Sequence, residues 1–71
     1  MGEDIRRRFA ARLRELRNKA GYTQQQLAEL ADLDYKHVQQ LESTQPPYPR
    51  LDTIQKLAKA FKITPSKLLD F

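Results

Sequence analysis

The stretch TQQQLAELADLDYKHVQQLE, residues 23–42, decides the fold of this 71-residue chain. It predicts two short helices joined by a tight turn. Thr23, followed three residues later by Gln26, forms a capping box that starts the first helix, and Asp34 caps the second. Asp32 in the turn is expected to adopt a positive φ, which Asp tolerates better than most residues. The side of the pair that faces a core carries small or apolar residues at fixed offsets, namely Leu27, Ala28, Leu33, Val38 and Leu41.

Three further helices, and no strand, are predicted around this pair. A first helix from about Asp4 to Ala20 ends at Gly21, a typical left-handed cap. Its apolar face is given by Phe9, Leu13, Leu16 and Ala20, which recur at helical spacing. The fourth helix has the apolar face Leu51, Ile54, Leu57, Ala58 and Phe61. Thr64 and Pro65 start a last helix that carries Leu68 and Leu69, whereas three prolines exclude a helix in residues 43–49.

Length and composition predict one domain, residues 1–71, held together by packing alone. The chain has no cysteine and one histidine, so it offers neither a disulfide framework nor a Cys/His metal site. We expect no metal, no cofactor, no small-molecule substrate and no enzymatic activity, because the sequence has no cysteine, only one histidine, no cluster of metal ligands and no glycine-rich phosphate loop. No apolar run approaches the roughly 18 residues that cross a membrane. A soluble protein of a reducing cytoplasm fits these features.

The positive charge is unevenly distributed. The formal charge is +4 overall, but residues 1–21 contribute +4, residues 22–42 contribute −3, and residues 43–71 contribute +3. If the chain binds a polyanion, attraction to phosphate must therefore come mainly from the segments that flank the two-helix unit.

Several short motifs follow one another in the order, and at the spacings, that are typical of a known family. They are LRELR at residues 13–17, YTQ at 22–24, Leu27-Ala28, Leu41-Glu42, Pro49, and IQKLAKAF at 54–61. With them the chain resembles the phage-repressor type (Cro/C1, or XRE) of helix-turn-helix protein from Phe9 to Phe71. The resemblance implies an all-α, compact five-helix bundle, a lambda-repressor-like DNA-binding domain with the helix-turn-helix at helices 2 and 3. Two departures stand out, because the family commonly has Gly where this chain has Asp32, and again near Ser43-Thr44.

The same resemblance implies the site residues. The third helix becomes the recognition helix, whose outward side chains would face DNA: Tyr35, Lys36, Gln39 and Gln40. Gln24 would bind a phosphate, and Arg50 would approach the sugar-phosphate backbone or a narrowed minor groove. The alternative for each is an ordinary solvated side chain. Arg17 and Glu42 would form a shielded ion pair that fixes the angle of the recognition helix.

Most other arginines of the first helix are expected to be solvated, with one or two near phosphate. They are Arg6, Arg7, Arg8, Arg12 and Arg14.

The function that the resemblance implies is sequence-specific transcription regulation on double-stranded DNA. A homodimer on a palindromic operator is expected, with Leu68, Leu69 and Phe71 as candidate dimer residues. The setting would be a prokaryotic cytoplasm, with a phage or plasmid as another source of the gene, and Met1 with the five-helix pattern favours a short natural protein. The alternative is a protein-interaction module such as an antitoxin on the same fold, which the acidic residues 22–42 favour.

Overall fold

The computed structural model describes residues 4–71 of the predicted domain, and residues 1–3 lie outside the described part. Five helices and no strand are present within these residues, which confirms the all-α prediction. The helices are α1 (Ile5–Ala20), α2 (Gln24–Ala31), α3 (Tyr35–Leu41), α4 (Leu51–Ala60) and α5 (Pro65–Leu68). None of them is long and apolar enough to span a membrane.

Local capping signals determine where the helices begin and end. The Thr23 hydroxyl accepts from the Gln26 amide at 3.0 Å, and the Gln26 side chain accepts from the Thr23 amide at 2.8 Å, as a capping box requires. Gly21 ends α1 with φ 78°, and Asp32 ends α2 with φ 57°. Since both take the left-handed conformation, Asp32 performs the role for which glycine is the usual residue.

The prediction that the Asp34 side chain caps α3 is wrong. Asp34 occupies the N-cap position, but its side chain makes no capping hydrogen bond. The amide of His37 donates to the Asp34 backbone carbonyl at 3.0 Å. This is one of the two amides that an N-cap side chain normally binds.

The core lies between the apolar sides of all five helices. Its fully buried large side chains are Leu13, Leu27, Val38, Leu41, Leu57 and Leu68. Two predicted core residues lie outside it, because Ala20 is exposed in the last position of α1 and Leu51 is 85% exposed in the first position of α4. Each has the correct helical spacing but stands at a helix end, beyond the neighbours that would cover it.

The proline-rich segment predicted over residues 43–49 is irregular, and it borders the same cleft as the start of α1. Pro46 is buried, whereas the Tyr48 ring is 69% exposed. The guanidinium carbon of Arg6 lies 4.4 Å from the centre of that ring, within the range of a cation–π contact. This contact links the segment to the start of α1.

Candidate nucleic-acid interface

Helix α3 has an outward face made entirely of hydrogen-bonding side chains. Val38 and Leu41 are buried, so the helix can be packed in only one orientation about its axis. The side chains left exposed are those of Tyr35, Lys36, Gln39 and Gln40. None of these four side chains makes a hydrogen bond or ion pair with the rest of residues 4–71, so a phenol, an ammonium and two amides are free to bind another molecule.

The C-terminal end of α3 is held by the carboxylate of Glu42, which is only 2% exposed. Arg17 Nε on α1 donates to one carboxylate oxygen at 2.7 Å. Gln24 Nε2 at the start of α2 donates to the other at 3.1 Å. Both oxygens are therefore bonded, and one buried acid joins α1, α2 and α3.

Two further bonds complete this cluster. Arg17 Nη1 donates to the Tyr22 carbonyl at 2.9 Å, in the turn between α1 and α2. Arg14 Nη1 donates to the backbone carbonyl of Glu42. A cation beside the last carbonyls of a helix is also favourable for its dipole. The orientation of α3 thus depends on two arginines of α1 as well as on packing.

Gln24 lies in a setting that the sequence did not reveal. Its side chain is half-buried and bonded to Glu42 instead of standing free at the surface. The contact with Glu42 uses one N–H of the Gln24 amide. The second N–H and the carbonyl oxygen remain available for another hydrogen bond at the N-terminus of α2. No local signal could have found this contact, because 18 residues separate the two positions.

The expectation that the arginines of α1 are mostly solvated is wrong for three of them. Arg12, whose side chain is 16% exposed, donates to the Lys67 carbonyl at 2.8 Å and to the Leu68 carbonyl at 3.3 Å, at the end of α5. Arg14 holds Glu42, as described above. Arg6 Nη2 lies 2.7 Å from Asp4 Oδ2, and this hydrogen bond from Arg6 lowers the pKa of Asp4 to about 2.

Arg50 stands between the proline-rich segment and α4. It is the N-cap residue of α4, its side chain is 84% exposed, and its Nε lies 3.3 Å from Asp52 Oδ1. Exposed pairs of this kind contribute little energy and are easily exchanged for another anion. The guanidinium is therefore accessible but not held in a single position.

The segment of residues 22–42 exposes less negative charge than its sequence suggests. Of its four carboxylates, Glu42 is buried against Arg17, which leaves Glu29, Asp32 and Asp34 exposed. On the outward face of α3 itself, the only ionisable groups are those of Lys36 and the Tyr35 phenol. The outward face of α3 therefore carries one formal charge, the positive one of Lys36.

Comparison with known proteins agrees with this geometry. The profile of the helix-turn-helix family HTH_3 matches residues 13–68. A similar solved structure is the restriction-modification controller protein C.AhdI from Aeromonas hydrophila, with a TM-score of 0.83 and 41% identity over 89% of this chain and 94% of that chain. No curated protein sequence gives a significant match.

Proposed function

This chain belongs to the HTH_3 helix-turn-helix family, of the phage-repressor type, and from that premise we propose that it is a sequence-specific regulator of transcription that binds double-stranded DNA. The observation that carries the proposal is the outward face of α3. Its four polar side chains are unengaged, while the helix beneath them is fixed by Val38, Leu41 and the bonds to Glu42. A rigid helix with a free polar face is what reading of the major groove requires.

The chemistry of this face suits base edges. Gln39 and Gln40 each carry an amide that can bind adenine N6 and N7 together. Lys36 can donate to guanine O6 and N7, and the Tyr35 ring can contact a thymine methyl group or donate to a phosphate. One good bidentate contact gives about 1–3 kcal/mol of discrimination against the wrong base.

We assign contacts with the DNA backbone to Gln24 and Arg50. Gln24 lies at the N-terminus of α2, where free amides and the helix dipole favour a phosphate. Because Gln24 also donates to Glu42, a phosphate bound by Gln24 would be held at a fixed distance from the end of α3. Arg50 has an exposed guanidinium of sufficient length to reach the backbone or a narrow minor groove.

We propose that the regulator acts as a homodimer on a palindromic site. A single module of this size buries roughly 600–1,000 Å² on DNA, too little for tight specific binding. Two recognition helices about 34 Å apart would enter successive turns of the major groove.

An apolar groove supports a second copy of the chain as the dimer partner. The groove, of about 180 Å³, is lined mainly by Ile5, Tyr48, Ile54, Leu69 and Phe71. Leu51, which is 85% exposed, precedes Ile54 by one turn of α4. A two-fold axis would let Leu51 of each copy enter the groove of the other, as an isologous interface requires.

One of the predicted dimer residues is excluded from this role. Leu68 is completely buried in the core of its own chain and cannot contact a partner. Leu69 and Phe71 are 41% and 38% exposed, so both remain candidates.

The similarity to C.AhdI also bears on the regulated genes. Because C.AhdI is a restriction-modification controller protein, we propose that this chain likewise controls a restriction-modification gene pair. A reporter can be fused to the promoter of a restriction-modification gene pair that neighbours the gene for this chain. Its output should change when the chain is expressed and should stay constant with the variant Lys36→Ala.

Selection of bound duplexes from a random pool tests the function. The wild type should enrich a palindrome, and Lys36→Ala and Gln40→Ala should each relax specific positions in both half-sites. Lys59→Ala and Gln55→Ala are the matched controls, because both lie exposed on α4, and they should enrich the wild-type site unchanged. If the wild type enriched no duplex, the DNA-binding proposal would be refuted and the protein-interaction alternative favoured.

A further inference from the structure

Two adjoining clefts separate the start of α1 from the segment that follows α3. The first, of about 510 Å³, is bordered by Arg6, Arg7, Gln40, Ser43 and Gln45. The second, of about 350 Å³, is bordered by Arg7, Arg14, Ser43, Thr44 and Gln45. Arg7 is the charged residue that the two clefts share, and Gln40 connects the first cleft with the outward face of α3.

The charge of this region is positive. Among the residues of 4–71 that border the two clefts are three arginines, Arg6, Arg7 and Arg14, and one carboxylate, that of Asp4. Asp4 is neutralised by Arg6, since the two side chains form a 2.7 Å ion pair. One negative and three positive groups leave a local charge of +2, carried by Arg7 and Arg14.

Arg7 and Arg14 differ in what their guanidinium groups already bind. Arg14 donates to the Glu42 carbonyl, so its charge is fixed at the end of α3. Arg7 is exposed and makes no hydrogen bond or ion pair within residues 4–71. Arg7 is therefore the cation available to an outside anion, with the Thr44 hydroxyl and the Gln45 amide as neutral donors on the opposite wall of the second cleft.

We infer that Arg7 binds the sugar-phosphate backbone of the same duplex whose bases meet α3, with the strand passing over the two clefts beside Gln40. This inference rests on the proposed function and adds a contact surface on α1 and on residues 43–45. Such a contact carries no sequence information. It fixes the register of the protein on the duplex and contributes to affinity for any sequence.

The salt dependence of DNA binding tests the inference, because it counts phosphate contacts. For the proposed dimer, which carries two copies of Arg7, Arg7→Ala should reduce the slope of log K against log salt by about 1.8, which corresponds to about 30-fold weaker binding at 0.15 M salt. The loss should be equal for the selected site and for an unrelated duplex. Arg7→Lys keeps the charge and should retain the wild-type slope.

Lys59→Ala is the control for net charge. It removes one exposed positive charge from α4 and borders neither cleft, so its slope should stay at the wild-type value. Thermal unfolding of each variant verifies that its fold is intact. Equal slopes for Arg7→Ala and Lys59→Ala, with normal binding by the wild type, would overturn the Arg7 contact and leave the proposed function standing. Absence of duplex binding by the wild type would overturn both.

Discussion

Breaking the ion pair between Arg17 and Glu42 should cost more stability than losing any other polar contact of α1. Arg17→Ala leaves the Glu42 carboxylate, 2% exposed, with only the amide of Gln24 as a partner. Removing one partner of a buried pair costs about 3–5 kcal/mol. Because the Arg17 side chain is itself 15% exposed, water can partly replace it, and we expect a value of about 3 kcal/mol.

That loss is large for a domain of this size. A change of 1 kcal/mol shifts the melting temperature of a 60–100-residue domain by about 4–8 °C, so Arg17→Ala should melt about 12–24 °C lower. Urea unfolding followed by circular dichroism at 222 nm measures the free energy directly, provided that the m-value stays constant. Arg14→Ala loses one charge-assisted bond to a carbonyl and should cost about 1.5–3 kcal/mol.

Arg7→Ala is the matched control for these two variants. Its side chain is exposed on the same helix, so the free energy of unfolding should change by less than about 0.5 kcal/mol. A double variant, Arg17→Ala with Glu42→Gln, removes both charges. Its loss in free energy of unfolding should be smaller than the sum of the two single losses by at least about 1 kcal/mol. The reasoning is refuted if Arg17→Ala and Arg7→Ala unfold at the same urea concentration.

Two further predictions concern the apolar groove and the start of α1. Leu51→Glu should convert the proposed dimer to a monomer in sedimentation velocity while the helical circular dichroism of the chain is retained, whereas Leu30→Glu, at another exposed leucine, should stay dimeric; a dimeric Leu51→Glu variant would contradict the proposed interface. The pKa of Asp4 is lowered from 3.8 to about 2 by its hydrogen bond from Arg6, so its contribution to stability is present above about pH 4 and is lost as the pH falls towards 2. The stability advantage of the wild type over Asp4→Asn should therefore be largest near pH 7 and mostly lost near pH 2, and a difference that is constant across this range would contradict the assignment.

The sequence predicted the helices well because their ends are specified locally. Thr23 and Gln26 form a capping box within four residues, and Gly21 and Asp32 adopt the left-handed conformation that such residues favour. There are two exceptions. The Asp34 side chain does not cap α3, and Lys62 follows α4 with φ 60°, although lysine gives no signal for that conformation. Periodicity also identified the buried side of α3, where Val38 and Leu41 exclude any other orientation.

Contacts between distant residues could not be predicted in the same way. Arg12 and Arg14 look identical to Arg7 in the sequence, yet they bond carbonyls at the ends of α5 and α3. Only the packing of α1 against those ends decides which arginines are solvated. The exposure of Leu51 has the same origin, because its spacing is that of a core residue and its lack of neighbours is a tertiary property.

The separation between the two sides of α3 has a consequence for how this protein can change. The residues that hold the helix, Val38, Leu41 and Glu42, point inward or lie at its end, and the four polar residues that face outward support nothing else in residues 4–71. Replacing those four should therefore alter the preferred DNA sequence at almost no cost in stability. New DNA-binding preferences could therefore arise, in evolution or by design, from a few substitutions on α3. The rest of the fold would stay unchanged.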